Sequence, residues 1–207
     1  MVMKKTFSAL LLTILLSSVV YTASAQSAEK AASTEFTTID VDSDWSENPF
    51  RWFKGPGLLL AVGTPESNNA MTIGWGSLGN VWSRIGLNTV TVYVAEGRYT
   101  YQFMEKNRYF TVMAFEPEYD YVLEYMGTHS GRDEDKAAAL GLHTLYTENG
   151  TPYYAEASLV LECEMIYKAP FQKEGMCESA QKFYENFSAG VHHLYIGTVV
   201  KAMERKR

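Results

Sequence analysis

Basic residues, cysteines and long apolar runs are all scarce in this chain of 207 residues. Its 18 Lys and Arg residues are outnumbered by 24 Asp and Glu residues, and the formal net charge is −6. An acidic chain argues against nucleic acid as a partner, because binding a polyphosphate backbone needs a basic surface. Beyond the N-terminal segment, no apolar run is long enough to cross a bilayer as a helix, so no stable membrane insertion is predicted.

Only two cysteines are present, Cys163 and Cys177. Two thiols without a surrounding cluster of ligand residues are weak grounds for a metal site, and none is predicted. In an oxidising compartment the two cysteines could form a disulfide. Two free thiols fit the sequence equally well, so both alternatives stay open.

Several familiar catalytic and nucleotide-binding motifs are also missing. The chain has no G-x-S-x-G elbow of a serine hydrolase and no G-x-x-x-x-G-K-[ST] phosphate loop. No G-x-G-x-x-G turn opens a helix after a predicted strand, as a dinucleotide-binding fold requires. These absences exclude the common nucleotide-binding folds but not phosphate binding by another arrangement.

The first 25 residues have the three parts of a secretory signal peptide. Lys4 and Lys5 precede the apolar run ALLLTILLSSVV (residues 9–20), and Ala25 ends the small-residue cleavage site ASA. The run is short for a spanning helix, although a retained anchor is the alternative. We therefore expect an exported, periplasmic protein.

The mature chain is expected to begin near Gln26. Residues 26–44 are small and polar and predict a flexible linker, which becomes ordered near Phe36 or later. Residues 45–207 are long enough for one domain with a substantial core.

Alternating and β-branched segments dominate the remaining sequence and predict a mainly β fold. The predicted strands are residues 55–64, 70–79, 88–95, 109–115, 156–169 and 192–203. Short helices are predicted over residues 99–107, 116–126 and 131–141. The turn PESNN (residues 65–69) is far too short for a parallel crossover and predicts a hairpin. Together these elements predict a small antiparallel barrel with helical inserts.

Two polar loops are candidate anion sites. Arg98 follows Gly97 at the end of a predicted strand, and Thr100 stands where it could cap the next helix. Free N–H groups at a helix start, a guanidinium and a hydroxyl together suit a phosphate, although an ordinary cap with a surface arginine is the simpler interpretation. In the second loop, Arg132 and Lys136 have the spacing of neighbours on one helix face.

Acidic and histidine residues beside these loops have ordinary structural interpretations. The triplet Asp133, Glu134 and Asp135 complements a helix dipole better than it predicts a metal site. His192 and His193 are adjacent in a predicted strand, so their side chains should lie on opposite faces and cannot easily chelate one metal.

Four stretches in order resemble the flavin reductase-like family, and specifically the flavoredoxin branch of the FMN-binding split barrels. They are NAMTIGWGS, GRYTYQFMEK, SGRDEDKAAALGL and HHLYIGTVV, within residues 50–203. The resemblance implies a six-stranded antiparallel split β-barrel and a homodimer with FMN at or near the dimer interface. It also implies redox chemistry by the flavin, without a required catalytic side chain.

The resemblance also implies roles for individual residues. Asn69 and Trp75 would lie beside the flavin ring, with Thr72 and Ser77 nearby, and Gly74 and Gly76 would leave room for the ring. The remaining implied cofactor-binding residues are Arg98, Tyr99 and Thr100 at the phosphate and ribityl chain, Ser130, Arg132 and Lys136 in the covering loop, and His192 ahead of the last strand.

Three features depart from the family pattern. Ile85 replaces a usual proline, Thr198 replaces a usual glutamate, and the chain ends at Arg207 where many relatives continue with an aromatic tail. The expected consequence is a more open substrate side. The electron donor is either a reduced nicotinamide or, outside the cytoplasm, an electron-transfer protein. The alternative function is a non-catalytic exported module that binds a flavin or another planar ligand.

Overall fold

The computed structural model describes residues 36–42, 48–82 and 86–206. The expected signal peptide and most of the expected linker lie outside these residues, as does Ile85. The strands are β1 (Phe36–Thr38), β2 (Leu58–Thr64), β3 (Ser67–Ile73), β4 (Gly76–Val81), β5 (Leu87–Ala95), β6 (Tyr109–Ala114), β7 (Thr144–Tyr146), β8 (Pro152–Tyr154), β9 (Leu159–Pro170) and β10 (His192–Arg205). The α-helices are α1 (Pro49–Lys54), α2 (Tyr101–Lys106), α3 (Asp120–Thr128), α4 (Lys136–Leu140) and α5 (Glu178–Glu185). Single 3₁₀ turns cover Pro117–Tyr119 and Lys173–Gly175.

One large sheet has the order β3-β2-β6-β9-β10-β5-β4, and β1 adds to β10. All six pairings along this path are antiparallel. β7 and β8 form a separate hairpin. The mainly β, antiparallel prediction is therefore confirmed, and each of the six predicted strands corresponds to part of this sheet.

The two edge strands of the path are consecutive in the chain. Seven flat strands about 4.8 Å apart would place their edges roughly 29 Å from each other. Only Gly74 and Trp75 join β3 to β4, and a link of that length spans roughly 10 Å. The sheet must therefore curl until its edges meet, which makes it a barrel split along the β3–β4 seam.

This seam corrects the prediction of one strand over residues 70–79. The segment contains the end of β3 and the start of β4, and these lie on opposite edges of the sheet. A β-carbon on Gly76 would lie 2.3 Å from Cε1 of Phe53 in α1. The expectation that Gly76 leaves room for a flat ligand ring is thus wrong, because the ring it accommodates is Phe53.

Apolar side chains of the barrel strands form the core. β2 is buried over Leu58–Gly63, and β5 contributes Val90, Val92 and Val94 at alternate positions. The charged Glu162 of β9 is only 1% exposed. Its carboxylate accepts hydrogen bonds from Thr147 (2.5 Å), Thr151 (3.0 Å) and Asn149 (3.2 Å), which ties the β7–β8 turn to the barrel.

Two boundaries differ from the sequence-based expectations. Residues 36–42 belong to the fold, since β1 pairs with β10 and the Ile39 N–H donates to the Ala202 carbonyl at 3.0 Å. The predicted helix over 131–141 is helical only in α4, where Asp135 accepts from the Ala138 N–H at 3.0 Å. Arg132 lies in the preceding turn, so it does not share a helix face with Lys136. α4 ends at Gly141 in the left-handed conformation, as expected.

Candidate functional site

The turn that leaves β5 is shaped by a close backbone contact at Gly97. Its N–H donates to the Ala189 carbonyl at 2.8 Å. A β-carbon on Gly97 would lie 2.9 Å from that oxygen, so a larger residue would push the two loops apart. The next residue, Arg98, therefore projects from a turn that is fixed at the barrel rim, and its side chain is exposed.

Thr100 is buried at the start of α2, but it does not cap the helix. Its backbone is already helical (φ −61°, ψ −26°), and its side chain makes no capping bond. Thr100 Oγ1 instead accepts from Asn69 Nδ2 at 2.8 Å. The predicted cap is wrong because the hydroxyl is used across the site, where it joins α2 to β3.

The second loop packs against the first through Gly131 and Arg132. A β-carbon on Gly131 would lie 2.1 Å from Asn69 Oδ1, so only glycine fits this close approach. The Arg132 guanidinium donates to the Gly97 carbonyl at 3.4 Å and lies 5.1 Å from the centre of the Tyr99 ring. Ser130 Oγ accepts from the Arg132 N–H at 3.2 Å. One arginine thus links the two predicted loops.

Lys136 is almost fully buried, and its ammonium group holds three segments together. Nζ donates to the carbonyls of Ala70 (2.7 Å), Met126 (3.0 Å) and His129 (3.2 Å). Burial lowers the pKa of Lys136 to about 8, against the opposing effect of Glu134, so the group is mostly charged at neutral pH. Because an ammonium group has three protons, Lys136 has no donor left for direct contact with a ligand.

The two loops and β3 enclose a cavity of about 180 Å³, which we call the cationic cavity. Its lining includes seven of the eleven predicted site residues: Asn69, Arg98, Tyr99, Thr100, Ser130, Arg132 and Lys136. Among the described residues that line it there are three cationic side chains and no Asp or Glu. In a chain with a net charge of −6, this is a local concentration of positive charge and hydroxyl groups.

Trp75 and His192 form a second part of the site beside the seam. Their ring centres are 4.4 Å apart, and Phe187 lies 5.1 Å from the other side of the imidazole. Burial, and to a smaller extent the charge of Arg98, lower the pKa of His192 from 6.5 to about 4. His192 is therefore neutral at pH 7, and Arg98 connects it electrostatically to the cationic cavity.

The other predicted residues lie apart from these two groups. Thr72 Oγ1 donates to the Leu123 carbonyl at 2.5 Å, so this hydroxyl anchors α3 to β3. Ser77 is exposed on β4, opposite Thr91. His193 lies on the other face of β10 from His192 and bonds Glu96 through Nε2 at 2.9 Å, in agreement with the predicted opposite orientations.

Sequence reasoning did not identify the aromatic segment that covers Trp75. Phe183 and Tyr184 of α5 and the following Phe187 pack on one another and on Trp75 or His192. The only signal in the sequence is the spacing of three aromatic residues in FYENF (residues 183–187), which fits one side of a helix.

Both cysteines are free, Cys163 buried in the core and Cys177 exposed. Within the described ranges, no cluster of three or more His, Cys, Asp or Glu side chains has the arrangement of a metal site. Those ranges also contain no helix with the length and apolar character needed to span a membrane.

Comparison with known families identifies the fold. The protein-family model described as "Flavin reductase like domain" matches residues 50–207, about three quarters of the chain. This chain belongs to the flavin reductase-like family. A search of curated proteins gives no match.

Solved structures agree with the split-barrel fold of this flavin reductase-like protein. A flavoredoxin from Methanosarcina acetivorans is 22% identical with a TM-score of 0.54, over 70% of this chain and 66% of the other. An FMN-binding domain of a flavin reductases-like enzyme from Shewanella baltica is 17% identical with a TM-score of 0.57, over 82% and 77%. An NADH:FAD oxidoreductase from Streptomyces globisporus is 17% identical with a TM-score of 0.52, over 72% and 75%.

Proposed function

We propose that this protein is a flavin-dependent oxidoreductase that binds FMN with its phosphate group in the cationic cavity. The observation that supports the proposal most strongly is the lining of that cavity, which combines three cations with hydroxyl groups and has no carboxylate among the described residues. A phosphate ester is an anion with several acceptor oxygens, so this donor set fits it. When bound, the flavin supplies hydride or electron transfer, and the protein contributes binding and orientation.

Each residue has a separate contribution in this proposal. Arg98 and Arg132 offer guanidinium donors to phosphate oxygens, which planar forks bind well. Ser130 adds a hydroxyl. Lys136 holds the walls of the cavity and adds positive charge without touching the ligand, because its protons already bond carbonyls. Trp75, which is 44% exposed, provides an aromatic surface for the ring system.

The choice of FMN draws on the Shewanella baltica structure, which is described as an FMN-binding domain. The Streptomyces globisporus neighbour is an NADH:FAD oxidoreductase, which favours a reduced nicotinamide as the electron donor. An electron-transfer protein is the alternative donor if the protein works outside the cytoplasm.

Export and dimerisation complete the proposal. Residues 1–25 have the pattern of a cleaved signal peptide, so we propose a periplasmic location for the mature protein. Cell fractionation tests this: we expect the protein in the periplasmic fraction with its N-terminus near Gln26, and cytoplasmic protein that begins at Met1 would contradict it. A homodimer is supported by exposed apolar side chains at the end of β4 away from the seam and on strands of the same sheet, namely Trp82, Leu87 and Tyr167.

The test of the function begins with the protein purified without added flavin. FMN is titrated in, and the complex is then mixed with NADH or NADPH without oxygen. We expect saturable FMN binding and loss of the oxidised-flavin absorption band with one nicotinamide. A protein that does not bind FMN would overturn the proposal. FMN that binds but cannot be reduced by nicotinamides or by electron-transfer proteins would favour the non-catalytic binding module instead.

A further inference from the structure

A cavity of about 520 Å³ lies between Trp75 and the segment that precedes β10. Phe171 and the 3₁₀ turn over Lys173–Gly175 form one side, and α5 forms the other. We call it the aromatic cavity. Its volume is within the usual range for small-molecule sites. It is separate from the cationic cavity, since the two share no lining residue.

The lining of the aromatic cavity is almost entirely apolar. It contains the rings of Trp75, Phe171, Phe183 and Tyr184 together with the Met176 thioether. Among its described residues there is no Lys, Arg, Asp or Glu. A cavity of about 610 Å³ that adjoins the cationic cavity, by contrast, combines Arg132 and Lys136 with four acidic residues. A charged ligand would lose its hydration in the aromatic cavity without gaining a partner of opposite charge.

Two polar groups, Tyr184 in the lining of this cavity and His192 next to it, are neutral at pH 7. Tyr184 Oη and His192 Nδ1 are 2.9 Å apart and share a hydrogen bond. Desolvation raises the pKa of Tyr184, and burial lowers that of His192, so neither group is ionised near neutrality. The side-chain amide of Gln172 adds a neutral donor and acceptor.

Trp75 lines the aromatic cavity and is also the residue that we place beside the flavin ring. Its ring stacks on His192 at 4.4 Å, is tilted toward Phe183 at 5.6 Å, and remains 44% exposed. A flat ring in the aromatic cavity would therefore contact the residue that we place beside the flavin. This position suits a compound that exchanges electrons with the cofactor.

We propose that the aromatic cavity binds an uncharged planar ring compound with carbonyl oxygens, of the quinone class, and holds it beside Trp75. Flat aromatic walls match the shape of such a ring, and neutral amide and hydroxyl groups match its carbonyls. The role as electron acceptor rests on the proposed function. The binding site itself does not, because apart from Trp75 its walls come from residues that have no role in the proposed function.

Duroquinone is a suitable probe, because it is neutral and every ring carbon other than the two carbonyl carbons carries a methyl group, which leaves the Cys177 thiol no unsubstituted ring carbon to attack. An anthraquinone sulfonate is the comparison compound, a larger planar quinone that carries a negative charge. Calorimetry on the FMN-saturated protein should show duroquinone binding and at least tenfold weaker binding of the sulfonate. Equal affinity for the two compounds, or no duroquinone binding, would overturn the proposal.

Two variants locate the site. Phe183→Ala should weaken duroquinone binding several-fold. Met176→Lys should weaken it further and strengthen binding of the sulfonate, since the new ammonium would lie at the cavity wall. Phe50→Ala is the matched control, because Phe50 is 76% exposed in a different groove that also contains charged residues. Loss of duroquinone binding in the Phe50 variant but not in the Phe183 variant would contradict the assignment.

The FMN titration separates this inference from the proposed function. If FMN binds and duroquinone does not, the inference fails and the proposed function stands. If duroquinone binds in the aromatic cavity and FMN does not bind, the site is confirmed but the acceptor role and the proposed function both fail.

Discussion

Arg98 and Lys136 both line the cationic cavity, but they differ in whether they can contact a bound anion directly. The Arg98 side chain is exposed and forms no ion pair within the described part of the chain. Lys136 is buried, with each proton donated to a carbonyl oxygen. Arg98 is therefore expected to contact the phosphate, and Lys136 to hold the cavity walls in place.

Replacing Arg98 with Ala should weaken FMN binding by roughly 10- to 100-fold, because a charge-assisted hydrogen bond is lost. Binding of riboflavin, which has no phosphate, should change little. Fluorescence titration with both ligands measures this. Arg51→Ala, which removes an exposed arginine on α1, is the control and should leave both affinities unchanged. An Arg98 variant that binds FMN as tightly as wild type would show that the phosphate lies elsewhere.

His192 should make stability depend on pH in the acidic range. Its pKa is lowered from 6.5 to about 4, so between these values the unfolded chain binds more protons than the folded chain. The free energy of unfolding therefore keeps its full value above pH 6.5 and decreases as the pH falls toward 4. This decrease amounts to roughly 2–3 kcal/mol.

Urea unfolding of the wild type and of His192→Gln between these pH values measures this contribution. In the His192 variant the free energy of unfolding should lose the part of its pH dependence that His192 contributes. His193→Gln, the same change on the opposite face of β10, should keep this pH dependence. Equal slopes in the wild type and the His192 variant would contradict a buried neutral imidazole.

Among the elements, the β3–β4 seam has the most direct effect on the site. It places Trp75 on a two-residue link between the barrel edges, next to α1 on one side and to α5 on the other. Gly76 begins β4 directly above the Phe53 ring, and Thr91 O would lie 2.8 Å from a β-carbon at this position. The seam can close only if residue 76 has no side chain.

Gly76→Ala should destabilise the protein by about 1–3 kcal/mol, the usual cost of overpacking a filled space. Gly79→Ala in the same strand is the control, because its β-carbon would meet only Thr89 Oγ1 at 3.8 Å. This control should stay within about 1 kcal/mol of wild type. Thermal or denaturant unfolding compares the two variants. Equal stability of both would mean that Phe53 does not fill the space above Gly76.

At the element scale, local patterns predicted the strands but not their breaks. β5 and β6 were predicted to within one residue of their ends, because alternating apolar and polar residues and β-branched side chains are typical of a half-buried strand. The break at Gly74 and Trp75 depends on the contact with Phe53 of α1, which lies well before the break in the chain, so no local pattern indicates it. The side chain of Thr100 was assigned to a cap because the sequence does not show that Asn69 lies across from it.

At the scale of the whole molecule, the antiparallel mainly β fold could be predicted from hairpin lengths and strand patterns. The resemblance of four motifs identified the flavin reductase-like family and seven residues that the fold brings to one cavity. The aromatic segment over residues 171–187 was not predicted. Its packing on Trp75 and His192 is long-range, and its sequence has only a weak helical pattern.

The proposed homodimer should be detectable by its mass in solution. Light scattering with size-exclusion chromatography should give a species of twice the mass of one mature chain, which is somewhat below the 23.3 kDa of the full chain. Trp82→Glu should shift it to the monomer, because Trp82 is 71% exposed and would be desolvated at an interface. A wild-type protein that remains monomeric at high concentration would contradict the dimer.

We expect the cationic cavity to hold the phosphate of a flavin. The most direct measurement compares FMN and riboflavin binding to the wild-type protein purified without flavin, at two salt concentrations. FMN should bind at least tenfold more tightly than riboflavin, and this difference should shrink as salt screens the charges. Equal affinities at both salt concentrations, or no binding of either compound, would contradict it.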